Sequence, residues 1–204
     1  MWIIEQLGII EYQQAFSYQE HLVKLKQEGE KRNFFLLLQH YPVFTRGKGA
    51  KLDNILDKNV PVHVINRGGD LTYHEPGQLV GYIIMDLRSE KLDIRKFITK
   101  IENLIVNTLQ KLNIPAYRDP DIVGVWLEGK KIASIGIAIR KGITMHGFAL
   151  NINNELAGFK KINPCGLNAE VMSSLQKVMG QDISFDTVQE AIIQEFNNLF
   201  TGQI

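Results

Sequence analysis

From Val123 the chain reads VGVWLEGKKIASIGIAIRKGITMHGFALNIN, a strand-rich run punctuated by Glu128-Gly129 and Lys141-Gly142. A residue-Gly pair between two apolar runs suits a tight hairpin turn, because glycine tolerates the positive φ that such turns need. Two hairpins in succession commit this part of the chain to antiparallel sheet, whose apolar face must then be covered. Helices for that purpose are legible elsewhere. Ile94, Phe97, Ile98, Ile101, Leu104, Ile105, Leu109 and Leu112 recur at intervals of three and four, an amphipathic helix capped by Asp93. A second helix spans Glu11 to Glu28, ended by Gly29, and a third runs from about Asp186 to Leu199. FFLLLQ from Phe34, VHVIN from Val62 and QLVGYIIMDL from Gln78 read as further strands, whereas HYPVFTRGKGA reads as a loop. The βαβ alternation of a doubly wound fold is absent. The expected architecture is α+β: one domain over residues 1–204, with helices packed on a mixed β-sheet.

Composition narrows the function classes. A chain of 204 residues, 45% of them hydrophobic, can bury one sizeable core unaided by disulfides or metal. Its single cysteine excludes an intramolecular disulfide and a Cys-rich zinc site. The opening MWIIEQLGIIEYQQAF lacks a basic leader and does not read as a signal peptide. No apolar run approaches the ~18 residues of a membrane span. With 23 basic and 22 acidic residues, no global field favours nucleic acid. A cytoplasmic protein is expected.

The only cysteine, Cys165, stands in KKINPCGLNAEVMSSL, flanked by Pro164 and Gly166 and outside any apolar periodicity. Buried cysteine is often a small hydrophobe, but a loop is where reactive groups concentrate. RGGDLTYHEPGQLVGY, from Arg67, mixes Gly68-Gly69 with Thr72, Tyr73, His74 and Gln78, and HGFALN, from His146, repeats that mixture. These glycines suit either a bound ligand or structural bulges and turns. Lys130 and Lys131 follow a hairpin turn, and strand alternation sends them to opposite faces. An inward ammonium beside a cysteine would stabilise its thiolate. GVWLEGKK, from Gly124, matches the first seven positions of a phosphate-binding loop but has Lys131 where Ser or Thr should hold magnesium, and its interior is strand-like. The five histidines show no metal-ligand spacing, and His21 reads as a helix-surface residue. No metal is expected.

Together these segments resemble the octanoyltransferase family of lipoate biosynthesis, the lipoyl(octanoyl) transferases. The family's Arg-Gly-Gly, Thr-x-His and Pro-Gly-Gln-Leu-Val are matched by RGGDLTYHEPGQLV, its Lys-Ile-Ala and Ile-Gly by KIASIG, its His-Gly-x-Ala-Leu-Asn by HGFALN, and its Pro-Cys-Gly by NPCG. LLLQHYPVFTRG and LGIIEYQQAF also fit, so the resemblance covers nearly the whole chain in order. It implies the fold of lipoate and biotin ligase catalytic domains and two catalytic residues, Cys165 as acyl-accepting nucleophile and Lys131 as its activating partner. It further implies a substrate pocket from Arg67, Gly68, Gly69, Asp70, Leu71, Thr72, Tyr73 and His74, with Ser134, Ile135, Gly136, Gly147, Phe148 and Ala149, and with His146 and Gly77 as additional candidates.

The reaction so implied moves an octanoyl group from octanoyl-acyl carrier protein to Cys165, then to a lysine of a lipoyl domain. The implied acceptors are the E2 subunits of 2-oxoacid dehydrogenases and the H protein of glycine cleavage. Thioester to amide is downhill, so no cofactor or ATP is implied. Thiol and ammonium would titrate as one dyad, with oxyanion donors near His146–Gly147 or Cys165–Gly166. Two positions depart from the family pattern. Glu75 replaces a usual glycine and is expected as a carboxylate at the pocket rim, and Ile83 replaces a usual proline harmlessly in a strand. Three other readings compete: an ATP-dependent lipoate or biotin ligase, whose adenylate loop is not evident here; a non-catalytic acyl-binding module; and a Cys-His hydrolase using His74 or His146 as base.

Overall fold

The computed structural model describes residues 1–202, with Cys165 described by its backbone alone. In chain order the elements are β1 (Trp2–Ile10), α1 (Tyr12–Gln27), β2 (Asn33–His40), β3 (Val43–Arg46), β4 (Val62–Val64), β5 (Leu71–His74), β6 (Gln78–Ile84), α2 (Ile94–Lys111), β7 (Tyr117–Arg118), β8 (Val125–Leu127), β9 (Lys130–Arg140), β10 (Ile143–Asn151), α3 (Leu175–Met179) and α4 (Phe185–Phe196). A seven-stranded sheet has the order β1-β2-β6-β10-β9-β8-β7, and a three-stranded sheet the order β4-β3-β5.

The continuous apolar runs of β2 and β6 exist because helices cover both faces of the large sheet. Phe35 and Leu37 of β2, with Leu79 and Ile83 of β6, pack with Phe97, Ile101, Leu104 and Ile105 of α2 and with Val188, Ile192 and Phe196 of α4. The alternate residues Phe34, Leu36, Leu38, Val80, Tyr82 and Ile84 pack with Ala15, Leu22 and Val23 of α1. Each such large apolar side chain contributes roughly 1.5–3 kcal/mol by burial. Asp93 caps α2 by accepting a hydrogen bond from the Lys96 N–H at 2.8 Å. The two hairpin turns take positive φ at both central residues: 48° and 74° at Glu128 and Gly129, 52° and 88° at Lys141 and Gly142.

Several elements differ from the sequence reading, which names no strand at Leu71–His74 or Tyr117–Arg118 and no helix at Leu175–Met179. Trp2–Ile10 is an edge strand paired in parallel with β2, so β1-α1-β2 forms a single βαβ unit within a mixed sheet. Within HYPVFTRGKGA, Val43–Arg46 is a strand, too short for periodicity to reveal, and it pairs with both β4 and β5. The last helix continues from Phe196 as a π-helical turn over Asn197–Thr201. No helix among the described residues is long and apolar enough to cross a membrane.

A third apolar cluster joins the small sheet to the segments on either side of Cys165. Phe44, Leu71 and Tyr73 pack there with Leu156, Phe159, Ile162 and Met172.

Candidate active site

β5 alternates. Leu71 and Tyr73 enter the third apolar cluster, while Thr72 and His74 turn the other way, toward β6, β9 and β10. On that side lies a small cavity. Ile65, Ile135, Phe148 and Ala149 give it apolar walls, and Tyr12, Arg67, Thr72, His74, Tyr82 and His146 give it polar ones. Arg67 is 7% exposed and crosses Gly136, where a Cβ would come within 2.9 Å of its Cδ. Its guanidinium donates to the Gly68 carbonyl at 2.9 Å and to the Thr45 hydroxyl at 3.2 Å. Gly147 is equally constrained, since a Cβ there would lie 2.0 Å from the Gly81 carbonyl oxygen.

The fold gathers histidines that are scattered in sequence. The rings of His40, His63 and His74 lie 5.2, 5.9 and 6.4 Å from that of Tyr12. His146 lies against Phe16 and Tyr82. Their partners assign the tautomers. His40 Nδ1 donates to the Ile10 carbonyl at 2.9 Å, leaving Nε2 to accept the Tyr82 hydroxyl at 2.7 Å. The Gln78 amide nitrogen donates to the Tyr73 carbonyl and to Asn151, so its oxygen accepts from His74 Nδ1 at 2.7 Å. Among the described residues, no group of three or more His, Cys, Asp or Glu could hold a metal ion.

Burial, the largest cause in each case, pushes His40 down to about 4 and both His74 and His146 to about 3. Imidazoles so reluctant to accept a proton are poor general bases at neutral pH, which argues against the Cys-His hydrolase. Stability follows from the same shifts. Above about pH 6.5 these groups are neutral in both the folded and the unfolded chain. Below that value the unfolded chain takes up protons that the folded one refuses, so stability falls until pH passes the folded values. Each histidine removes up to about 1.4 kcal/mol per pH unit. The melting temperature should therefore drop by roughly 10 °C between pH 7 and pH 5.5. A flat profile over that interval would show that the histidines are not held neutral.

Lys131 is 2% exposed, whereas Lys130 is exposed and donates to the Glu170 carbonyl at 3.0 Å. Lys131 Nζ donates to the Val123 carbonyl at 2.8 Å. Gly124 makes room for that path, since a Cβ there would come within 2.6 Å of Lys131 Cε. The Gly124 N–H in turn donates at 2.9 Å to Glu102, a buried carboxylate of α2 that also accepts from Arg118 at 2.8 Å.

Backbone bonds tie the cysteine loop to the same end of β9. Upstream of Cys165, the Asn163 N–H donates to the Asn54 carbonyl at 2.8 Å. Downstream, the Ser173 N–H donates to the Lys131 carbonyl at 3.0 Å, and Met172 forms an isolated bridge with Lys131. The loop between these anchors is thereby brought to the strand that carries Lys131. The Cys165 side chain lies outside the described residues.

Residues 11–197 match the family model of the lipoyl protein ligase A/B catalytic domain. The chain belongs to that family. An octanoyltransferase of Geobacter metallireducens is 40% identical over 194 residues, covering 95% of this chain and 91% of the relative. One of Caldicellulosiruptor saccharolyticus is 43% identical over 203 residues, covering 95% and 86%. Among solved structures, a lipoate-protein ligase A bound with ATP superposes with a TM-score of 0.78 at 19% identity, covering 97% of this chain and 85% of that one. The biotin protein ligase of Aquifex aeolicus gives a TM-score of 0.56 at 12% identity, covering 99% and 70%. At such identities these two share the fold.

In this lipoyl protein ligase A/B fold, the residues singled out from sequence fall into three groups. Arg67, Gly69, Thr72, His74, Ser134, Ile135, Gly136, His146, Gly147, Phe148 and Ala149 line the cavity. Lys131 is not among the lining residues; it lies on β9 where the downstream end of the cysteine loop is anchored. Gly68, Asp70, Leu71, Tyr73 and Gly77 serve elsewhere. The Gly68 N–H donates to the Ile137 carbonyl at 2.9 Å. Asp70 accepts from Asn54 and lies 3.9 Å from where a Gly166 Cβ would stand, so it supports the cysteine loop. Leu71 and Tyr73 are core residues on the opposite face of β5. Gly77, at φ 86°, turns the chain where any Cβ would meet the Asn154 nitrogen at 2.8 Å.

Glu75 is not at the pocket rim. It is 8% exposed, accepts from the Leu156 N–H at 2.7 Å and Asn154 Nδ2 at 3.2 Å, and staples the segment leaving β10. Of the suggested oxyanion donors, the His146 N–H is engaged by Gln19 at 2.8 Å and the Gly166 N–H by the Asn163 carbonyl at 3.2 Å. The sequence reading missed Tyr12, Ile65 and Tyr82 as cavity residues.

Proposed function

We propose that this octanoyltransferase works by a ping-pong route through Cys165 and Lys131. The Cys165 thiolate attacks the thioester carbonyl of octanoyl-acyl carrier protein, and the carrier's thiolate leaves and is protonated. The ε-amine of a lipoyl-domain lysine then attacks the enzyme thioester. An amide N–C bond forms, the Cys165 C–S bond breaks, and the amine proton leaves with the dyad or solvent. The cavity holds the acyl chain against Ile65, Ile135 and Phe148. Lipoyl domains of 2-oxoacid dehydrogenase E2 subunits and of the glycine cleavage H protein are the acceptors, and the reaction belongs to the cytoplasm.

One observation carries this reading: a fully buried lysine on the strand to which the loop of the only cysteine is anchored at its downstream end. A buried ammonium needs a compensating partner, and a thiolate supplies one. Purified enzyme, octanoyl-carrier protein and an apo-lipoyl domain should give octanoylated domain at the same rate with and without ATP. Transfer that requires ATP and free fatty acid would assign the chain to the ligases instead.

A further inference from the structure

Two shallow depressions outside the cavity meet at Arg46 and Val64 to form one groove. Val64 of the edge strand β4 is 69% exposed and Leu52 is 65% exposed, which makes an apolar floor open to solvent. Lys48, Lys51 and Lys58 are exposed around it, and Arg46 lines both depressions. No ion pair among the described residues engages any of these four cations, and Asp53 is the one acidic residue lining the groove. In a chain of net charge +1, such a cluster is a local feature rather than a share of a general field.

The groove is joined to both parts of the catalytic apparatus. Ile65 lines it on one side and the acyl cavity on the other. The segment from Leu52 to Lys58 is bonded to the strand of chain entering the cysteine loop: the Leu56 and Asp57 N–H groups donate to the Lys161 carbonyl at 3.0 and 3.1 Å, and Asn54 accepts from Asn163 at 2.8 Å. A macromolecule resting here would lie beside both the cavity wall at Ile65 and the segment that leads into the cysteine loop.

We infer that this groove is the docking surface for the donor, a carrier protein whose acyl-bearing face is acidic around an apolar centre, and that the lipoyl-domain acceptor does not use it. The inference rests on the proposed function and adds where one of its two protein partners binds. The complementarity is electrostatic at the rim and apolar at Leu52 and Val64. The rim charges act mainly on encounter, fading as salt screens them.

The test is a triple charge reversal, Lys48→Glu, Lys51→Glu and Lys58→Glu, at exposed positions that touch neither the cavity nor Lys131. A second variant, Leu52→Asp, changes the floor alone. Three rates are read for each: octanoylation of Cys165 by octanoyl-carrier protein, its octanoylation by a small octanoyl thioester, and transfer onto the lipoyl domain. The triple variant should raise KM for the carrier about tenfold or more and flatten its dependence on salt. The small thioester and the lipoyl domain should react within about twofold of normal. Unchanged kinetics with the carrier would overturn the inference, as would an equal loss with the small thioester. A loss confined to the lipoyl-domain step would assign the groove to the acceptor and overturn it as well. If unmodified enzyme is acylated by neither donor, the proposed function itself fails, an outcome distinct from all of these.

Discussion

Cys165→Ala should acquire no acyl group from octanoyl-carrier protein and should lose octanoyl transfer by a factor on the order of 10³ or more, as expected when a covalent nucleophile is removed. Unmodified enzyme should gain the mass of one octanoyl group, released by hydroxylamine. The single-cysteine sequence makes this test clean, because a thioester can form nowhere else. The local structure explains why a nucleophile suits this position. Residues Pro164–Gly166 form a 3₁₀ turn between Asn163, fixed to Asn54, and Gly166, whose φ of 71° a side-chain-bearing residue rarely adopts. Asp70 and Asn54 back the turn, and Met172 and Ser173 hold its downstream end to β9. The backbone of the turn is thus held by the scaffold on both sides of Cys165. An adduct that persists in Cys165→Ala, or near-normal transfer by that variant, would rule out the thioester route.

What the sequence made legible was local. The paired turns at Glu128-Gly129 and Lys141-Gly142 and the face of α2 depend on residues within a few positions of one another. The split of Thr72 and His74 from Leu71 and Tyr73 is not among these: it follows from strand alternation, but the sequence reading names no strand there and gives all four to the pocket. Long-range placement was hidden. Tyr12 and Tyr82 reach the cavity only because α1 packs across β6, and no periodicity reports that contact. β1 escaped notice because it is an edge strand whose pairing is entirely with β2. Glu75 sits next to pocket residue His74 in sequence, yet its carboxylate turns to Leu156, a partner 81 residues away. Gly124 is the most instructive case. As the start of a failed phosphate-loop pattern it carries no chemistry, but in three dimensions its missing Cβ is the space that Lys131 occupies.

Exchange of Lys131 for methionine should be nearly as damaging as loss of the nucleophile, and exchange of Lys130 for alanine should be silent. The neighbours differ in what their ammonium groups meet. Lys130 reaches the Glu170 carbonyl on the exposed face, a contact that water replaces readily. Lys131 passes over Gly124 to the Val123 carbonyl, beside the Trp126 ring at 5.9 Å from its centroid, in a site held from behind by Glu102. Methionine keeps the length and apolar volume of the lysine stem and removes only the charge and its donors, so the core should survive. A positive charge beside a thiol favours the thiolate, the reactive form. In Lys131→Met, alkylation of Cys165 by iodoacetamide at pH 7 should slow by about tenfold or more. Its pH midpoint should move up toward that of an ordinary cysteine, about 8.5. Octanoyl transfer should fall by about 10²–10⁴, the usual worth of an acid-base partner. Lys130→Ala should leave both rates within about twofold, as exposed substitutions do when they touch no site. If Lys130→Ala proved the damaging change and Lys131→Met left alkylation and transfer intact, the dyad would have to be assigned elsewhere. The buried ammonium would then be a purely structural anchor for the Val123–Gly124 turn.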